Sequence, residues 1–151
     1  MIKSTLCYIK RGGEYLMLYR NRKKNDPNAG KWIGIGGKLE AGETPEEGML
    51  REVREETGIK LTDYRFHGVI EFRSDAWEYE DMYLYSGEVP ADTEAAECDE
   101  GELKWIPQGE ILGLKLWEGD RVFLKPLLEG AERISLRLKY EGETLTGVEE
   151  I

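Results

Sequence analysis

The sequence predicts an α+β fold, with helices packed on a curved mixed sheet. Two observations predict it. Short runs rich in β-branched and aromatic residues, closed off by Gly, Pro, Asn and Asp, recur along the chain. Their order mixes these strands with only two or three helical segments. A length of 151 residues suits one domain, 1–151, able to bury a sizeable core. No repeat, low-complexity tract or linker divides it.

Each element has its own signal. Residues 5–10 and 15–20 read as strands around the turn Arg11-Gly12-Gly13-Glu14. Residues 21–31 form a polar loop, with Asp26, Pro27, Asn28 and Gly30 as turn formers. Residues 32–36 are a short strand, followed by a glycine-rich turn and a helix over 45–57. Residues 65–72 and 82–89 read as longer strands, and 90–101 as an acidic loop. Residues 103–106 are a strand, and 107–112 a single helical turn. A second helix covers 121–128, where Pro126 is expected to bend it or end it early. Residues 134–140 close with a strand, which Glu141-Gly142-Glu143 turns into a last hairpin.

Charge and composition narrow the function. The net charge is −10, from 31 acidic and 21 basic residues. A binder of nucleic-acid backbone needs a basic stripe, and the sequence has none. An acidic protein that binds phosphate needs a cation between its carboxylates and the phosphate oxygens, which points to a divalent metal. The bland alternative is that the charge serves solubility. No apolar run approaches the ~18 residues needed to span a membrane. The start, Met1-Ile2-Lys3-Ser4, lacks the features of a signal peptide, so the expected location is the cytoplasm. Cys7 and Cys98 have no metal-type spacing and make no disulfide framework, so both are expected as free thiols.

The helix over 45–57 has well-marked ends. Thr44 suits the N-cap, Pro45 the first helical position, and Glu47 completes a capping box. Gly58 suits a left-handed stop. At ~100° per residue, with Glu52 at zero, Glu56 lies near ~40° and Glu55 near ~300°. Three carboxylates therefore share a face, with Gly48 in its middle. Met49, Leu50, Val53 and Thr57 form the core face. A solvated acidic face would explain this, yet like charges at these spacings repel by ~0.2–0.5 kcal/mol per pair. They also lie toward the helix C-terminus, where the macrodipole disfavours anions. A hard cation would remove the repulsion, and Mg²⁺ suits carboxylates, waters and substrate phosphates.

At this point the residues resemble a known family. The stretch from Gly37 to Ile59, "GKLEAGETPEEGMLREVREETGI", is similar to a complete Nudix box, G-x5-E-x7-R-E-U-x-E-E-x-G-U. Gly37, Glu43, Arg51, Glu52, Val53, Glu55, Glu56, Gly58 and Ile59 fill its specified positions. The resemblance implies a Nudix αβα sandwich, with a curved mixed β-sheet between helices, and hydrolysis of a nucleoside diphosphate linked to another moiety. It implies that Glu52, Glu55 and Glu56 ligate Mg²⁺, with Mn²⁺ able to substitute, and that one of them also activates water. It implies a pairing of Glu43 with Arg51 that holds this geometry. Gly37 would offer its carbonyl to the metal, Gly34 and Gly36 would let the turn approach phosphate, and Lys38 would contact phosphate.

Outside the box the chain resembles the MutT-like, oxidised-purine nucleoside triphosphatases of animals, through "GKWIGIGGKLEAGET", "DEGELKW" and "LWEGDRVFLKPLL". By this likeness Glu100 is a further metal ligand or base, against an ordinary loop acid. Trp117 and Asp120 are expected to grip the base. Trp117 could instead be a core residue, and Asp120 could cap a helix starting at Arg121. Two positions depart from the animal pattern: Ile33 replaces an amide and Gly119 replaces a second Asp. An Ile cannot hydrogen-bond the base edge, which puts selectivity for an oxidised purine in question. His67 is expected as a structural strand residue. Trp32, Trp77, Tyr79 and Trp105 are expected at core or rim, with Trp77 and Tyr79 in a loop able to reach the site.

The leading expectation is Mg²⁺-dependent hydrolysis of a nucleoside triphosphate, a purine deoxynucleotide with 8-oxo-dGTP among the candidates, to monophosphate and pyrophosphate. Alternatives are another diphosphate, such as ADP-ribose, a dinucleoside polyphosphate or a capped RNA end, and a catalytically silent nucleotide-binding regulatory domain. The expected partner is a nucleotide substrate, not nucleic acid or membrane, with the chain as monomer or homodimer.

Overall fold

The structure is a computed structural model that describes residues 1–22 and 25–151. Part of the expected polar loop over 21–31, Lys23 and Lys24, lies outside the described residues. The strands are β1 (Ile2–Arg11), β2 (Glu14–Arg20), β3 (Trp32–Ile33), β4 (Ile35–Lys38), β5 (Asp63–Ser74), β6 (Glu80–Val89), β7 (Gly101–Pro107), β8 (Leu136–Glu141) and β9 (Thr144–Glu150). The helices are α1 (Pro45–Thr57) and α2 (Glu118–Leu128), with a 3₁₀ turn over Gln108–Gly113. No helix among the described residues is long and apolar enough to cross a membrane.

The sheet runs β3-β2-β1-β6-β5-β8-β9, with β4 also on β1 and β7 also on β2. β1 pairs with β6, and β5 with β8, in parallel, while the other pairs are antiparallel. The sheet is therefore mixed, as expected. β1 explains why the fold has two helical layers. Its residues from Ser4 to Ile9 are all buried, as a strand covered on both faces requires. Leu6 and Tyr8 join a core with Phe123, Leu124 and Leu127 of α2. Cys7 and Ile9 join a second core with Met49 and Val53 of α1. Period-two alternation thus sends successive residues to opposite helices, giving the αβα sandwich.

Three element readings need correction. The single strand over 32–36 is two, β3 on β2 and β4 on β1, broken at Gly34. A Cβ at Gly34 would lie 2.9 Å from the Tyr8 ring, so this point lies flat on the core. The second helix starts at Glu118 rather than Arg121. Pro126 does not end it early: the helix continues to Leu128, because proline costs most one turn back, where its ring meets a carbonyl, and little to the residues after it.

β4 places the glycine-rich turn directly against β1. A Cβ on Gly36 would sit 1.9 Å from the Thr5 carbonyl oxygen. Any side chain there must push β4 away from β1 and from α1 behind it. Gly36→Ala is expected to destabilise the protein by ~1–3 kcal/mol, as overpacking does. A urea melt checks this, and an unchanged midpoint would contradict the close approach.

Candidate active site

The α1 helix forms as its ends dictate. The Thr44 hydroxyl accepts from Glu47 N at 3.1 Å, and the Glu47 carboxylate accepts from Thr44 N at 2.9 Å. Gly58 closes the helix at φ 74°, donating to the Arg54 carbonyl. Both caps match the sequence reading. They fix the register in which Glu52 and Glu56 turn toward the sheet.

Glu56 is buried, and its Oε2 accepts from Gly36 N at 3.2 Å. Glu52 stands behind Gly37, where a Cβ would meet its Oε1 at 2.7 Å. Glu100, half-buried, joins them from the loop before β7. One carboxylate oxygen each of Glu56 and Glu100 lies within 4.8 Å of the other and of the Cys98 sulfur. Glu55 is different: its side chain is 59% exposed and pairs with Arg51 at 3.1 Å, on the solvent side of the cluster.

Arg51 binds the box together. Its Nε and Nη2 donate to the two oxygens of Glu43 at 2.7 and 3.0 Å, and its Nη1 donates to Glu52 at 3.0 Å. Nη2 also donates to the Lys38 carbonyl at 3.3 Å. The forked geometry is one that lysine could not supply. The Arg51 hydrogen bonds hold Glu43 down at about 2. The sequence reading anticipated this pair but missed a second one. Arg20, buried, donates to Asp26 at 2.7 Å and to Glu100 at 3.1 Å. Arg20 ends a strand with no motif spacing to mark it, and Asp26 reads as a turn former.

The donor set fits a hard divalent cation. Burial first, and then the neighbouring Glu100, raise Glu56 well above the ordinary carboxylate range. Burial also raises Glu52, against Arg51, which lowers it. Buried carboxylates gathered with so little positive charge are costly unless a cation joins them, and carboxylate oxygens are the donors Mg²⁺ takes.

A cavity of about 730 Å³ joins this cluster to a second group. Gly36, Gly37, Lys38, Arg51, Glu52 and Glu100 line it on the α1 side. Phe72, Trp77, Trp117, Asp120 and Tyr140 line it from β5 to α2. Trp117 is half-buried, with Nε1 donating to Asn28 Oδ1 at 2.8 Å and Lys31 Nζ 4.1 Å from the ring centre. Trp77 and Tyr140 meet it edge-on, at 5.6 and 5.7 Å between centroids. Trp77 does reach the cavity from its loop, while Trp32 and Trp105 pack on the cores.

Asp120 does not cap a helix at Arg121. It lies in the first turn of α2, whose N-cap is Trp117, with no side-chain cap. Its carboxylate is buried and has no hydrogen-bond partner among the described residues. Burial pushes it up to about 7. Gly119 has a structural reason to lack a side chain: its N–H donates to the Tyr140 hydroxyl at 2.7 Å, and a Cβ would lie 2.5 Å from that oxygen. Ile33 is buried, in the core beneath α1. His67 is structural, between the Glu132 carbonyl at 2.9 Å and Ser86 Oγ at 2.6 Å. Cys7 and Cys98 are free.

Gly48 corrects the sequence reading. A Cβ there would meet Leu39 Cδ2 at 2.3 Å and Glu43 Oε1 at 2.9 Å, not the carboxylate cluster. The loop over 39–43 folds across this part of the acidic face. Gly48→Ala therefore loses stability despite the ~1 kcal/mol gained in helix propensity, and its melting temperature should fall below wild type. A rise would show that the loop yields.

Asp120 makes stability depend on pH. Its folded value is about 7, against 3.8 for the free side chain. Folding then takes up a proton, and stability falls as pH rises through that window. Asp120→Asn has no such loss. Its melting temperature should exceed wild type at pH 8, with the gap closing toward pH 5; a constant gap would refute the assignment.

The comparisons agree with this geometry. A family model described as NUDIX domain matches residues 3–127. The oxidized purine nucleoside triphosphate hydrolase of Danio rerio is 30% identical over 139 residues, covering 91% of this chain and 86% of its own. An uncharacterized Nudix hydrolase of Bacillus subtilis is 28% identical over 133 residues, covering 83% of this chain and 78% of its own. A crystal structure of MutT protein from Bacillus halodurans matches with a TM-score of 0.83 and 25% identity, over 99% of this chain and 97% of that one. From the box on α1, the sandwich that carries it and the span of these matches, the chain belongs to the NUDIX domain family, as a MutT-like pyrophosphohydrolase.

Proposed function

We propose that the protein hydrolyses a purine nucleoside triphosphate to the monophosphate and pyrophosphate, with Mg²⁺ as cofactor. One observation carries this reading: a single cavity has the half-buried carboxylates of Glu52 and Glu100 on one side and an aromatic-walled recess holding Asp120 on the other. The first suits a metal-bound triphosphate and the second a flat base. The Danio rerio relative, named for oxidized purine nucleoside triphosphates, supports the same substrate class.

In this reading Glu52, Glu56 and Glu100 hold the cation with the Gly37 carbonyl, and Glu55 joins from the solvent side. Bound there, Mg²⁺ would neutralise phosphate charge and ease ionisation of water. Lys38 and the Gly36–Gly37 backbone steady the phosphates. Arg51 and Glu43 keep α1 and the preceding loop in register, so the carboxylates do not rearrange as charge develops. A carboxylate of the cluster takes the proton of the attacking water. The water oxygen forms the new P–O bond as the bridging P–O bond breaks, and pyrophosphate leaves with its electron pair. Trp117 offers a ring to the base, with ~1–3 kcal/mol available from stacking.

The test is a triphosphate panel with Mg²⁺, scoring phosphate and pyrophosphate separately. Pyrophosphate should be the product, activity should vanish in EDTA, and Mg²⁺ or Mn²⁺ but not Ca²⁺ should restore it. Glu56→Gln should cost at least ~10²-fold in kcat, with the metal-free melting temperature level or slightly raised. Turnover in chelator, or inorganic phosphate as the first product, would refute the reading.

A further inference from the structure

Three possible ligand atoms converge beside the cavity, and one of them is sulfur. Among the described residues, Glu56, Cys98 and Glu100 are the one trio of acidic, thiol or imidazole side chains whose ligand atoms all lie within 4.8 Å of one another. Glu52 and Glu55 are outside this trio. Cys98 is 4% exposed and lies outside the Gly37–Ile59 box.

The position of the sulfur is built into the fold. Ala96 N donates to the carbonyl of Thr57, the residue after Glu56, at 2.8 Å. Cys98 forms an antiparallel bridge with Gly101, and Arg22 Nη1 donates to the Cys98 carbonyl at 2.7 Å. Gly101 lies hard against β2, where a Cβ would sit 1.9 Å from the Tyr19 carbonyl oxygen. The segment is thus pinned to the end of α1 on one side and to β2 on the other. Glu56 is 7% exposed, with one oxygen on Gly36 N and the other without a donor among the described residues.

A buried cysteine is most often a small apolar filler, and Cys98 does join the core beneath α1. A filler has no reason to face two carboxylates. Its thiol has one weak proton to donate and cannot satisfy both acids, whereas a cation satisfies all three groups. A tetrahedral ion, with a ~2.3 Å bond to sulfur and ~2.1 Å bonds to oxygen, sets these atoms ~3.6 Å apart. Side chains already inside 4.8 Å reach that spacing by small torsions. Sulfur then decides the kind of ion. Mg²⁺ takes oxygen ligands, while thiolate favours softer ions such as Zn²⁺, Co²⁺ and Cd²⁺.

We propose that Cys98 is a ligand for a thiophilic divalent cation, held together with Glu56 and Glu100. This rests on the reading of those two acids as the cation site and deepens it. The thiol proton passes to solvent as the sulfur binds. Hard ions use the carboxylates without the sulfur, so one site accepts two classes of metal in different coordination. Glu100 lines the cavity and offers the way in.

Co²⁺ reports the sulfur directly, because thiolate-to-cobalt charge transfer absorbs in the near ultraviolet and oxygen ligands give no such band. Reduced, nucleotide-free wild type titrated with Co²⁺ should develop this band. Its absence would overturn the proposal, whatever the variants do. Cys7→Ala should keep the band and Cys98→Ser should lose it; a band that survives in Cys98→Ser belongs to another group and defeats the assignment. By calorimetry, Cys98→Ser should weaken Cd²⁺ at least ~10-fold more than Mg²⁺, since a lost ligand costs no less than a lost orienting partner. Equal weakening of both ions would mark a structural cysteine and defeat it too. The triphosphate panel with Mg²⁺ involves no sulfur and reads hydrolysis separately. A cobalt band without turnover sinks the hydrolytic reading alone. Pyrophosphate release without a cobalt band sinks the thiol ligand alone.

Discussion

The structure depends on carboxylates held against backbone. Glu56 reaches Gly36 N because Gly36 has no Cβ to keep β4 off β1, and Glu52 fits because Gly37 has none either. Three layers meet there: the central strand, the short strand beside it and α1. The cost of burying acids is offset within the fold by one N–H donor and by Arg51 and Arg20. Neither arginine neutralises the cluster, and this deficit is what a bound cation would relieve. The surrounding geometry, from the capping box to the left-handed Gly58, keeps the helix from turning the acids out to solvent.

Local features of the site were legible in the sequence. The limits of α1 follow from Thr44, Pro45, Glu47 and Gly58, each of which acts within one helical turn. The Glu43–Arg51 pair was legible by resemblance. Arg20 was not, because its partner Glu100 is 80 residues away and nothing in the spacing links them. The Gly48 reading went astray for a related reason. The helical wheel placed it on the acidic face, but a wheel cannot show that Leu39 and Glu43 fold over that face.

The last hairpin has a second role that its sequence did not suggest. Glu143, at its turn, pairs with Lys31 at 3.1 Å, and Lys31 sits over Trp117. Gly142 N donates to Asp75 in the loop that carries Trp77. The pairs are exposed, so each contributes little to stability. Their effect is on position: two aromatic walls of the cavity lean on the same turn. Residues past the matched span of the family model thus shape the recess, where NUDIX relatives have scope to differ.

The parallel pairing of β1 with β6 sets the order in which the molecule can be completed. β1 must wait for β6, some 80 residues further along the chain, before its long edge is paired. Contacts so distant in sequence form late, after the loops between them close. Glu52 and Glu56 are synthesised well before Glu100 and Arg20's pairing with it. A nascent chain therefore carries a helix with acids and no assembled cage. The carboxylates of Glu56 and Glu100 come together only once the sheet has closed, so the acidic cluster is a product of the finished fold and not of α1 alone.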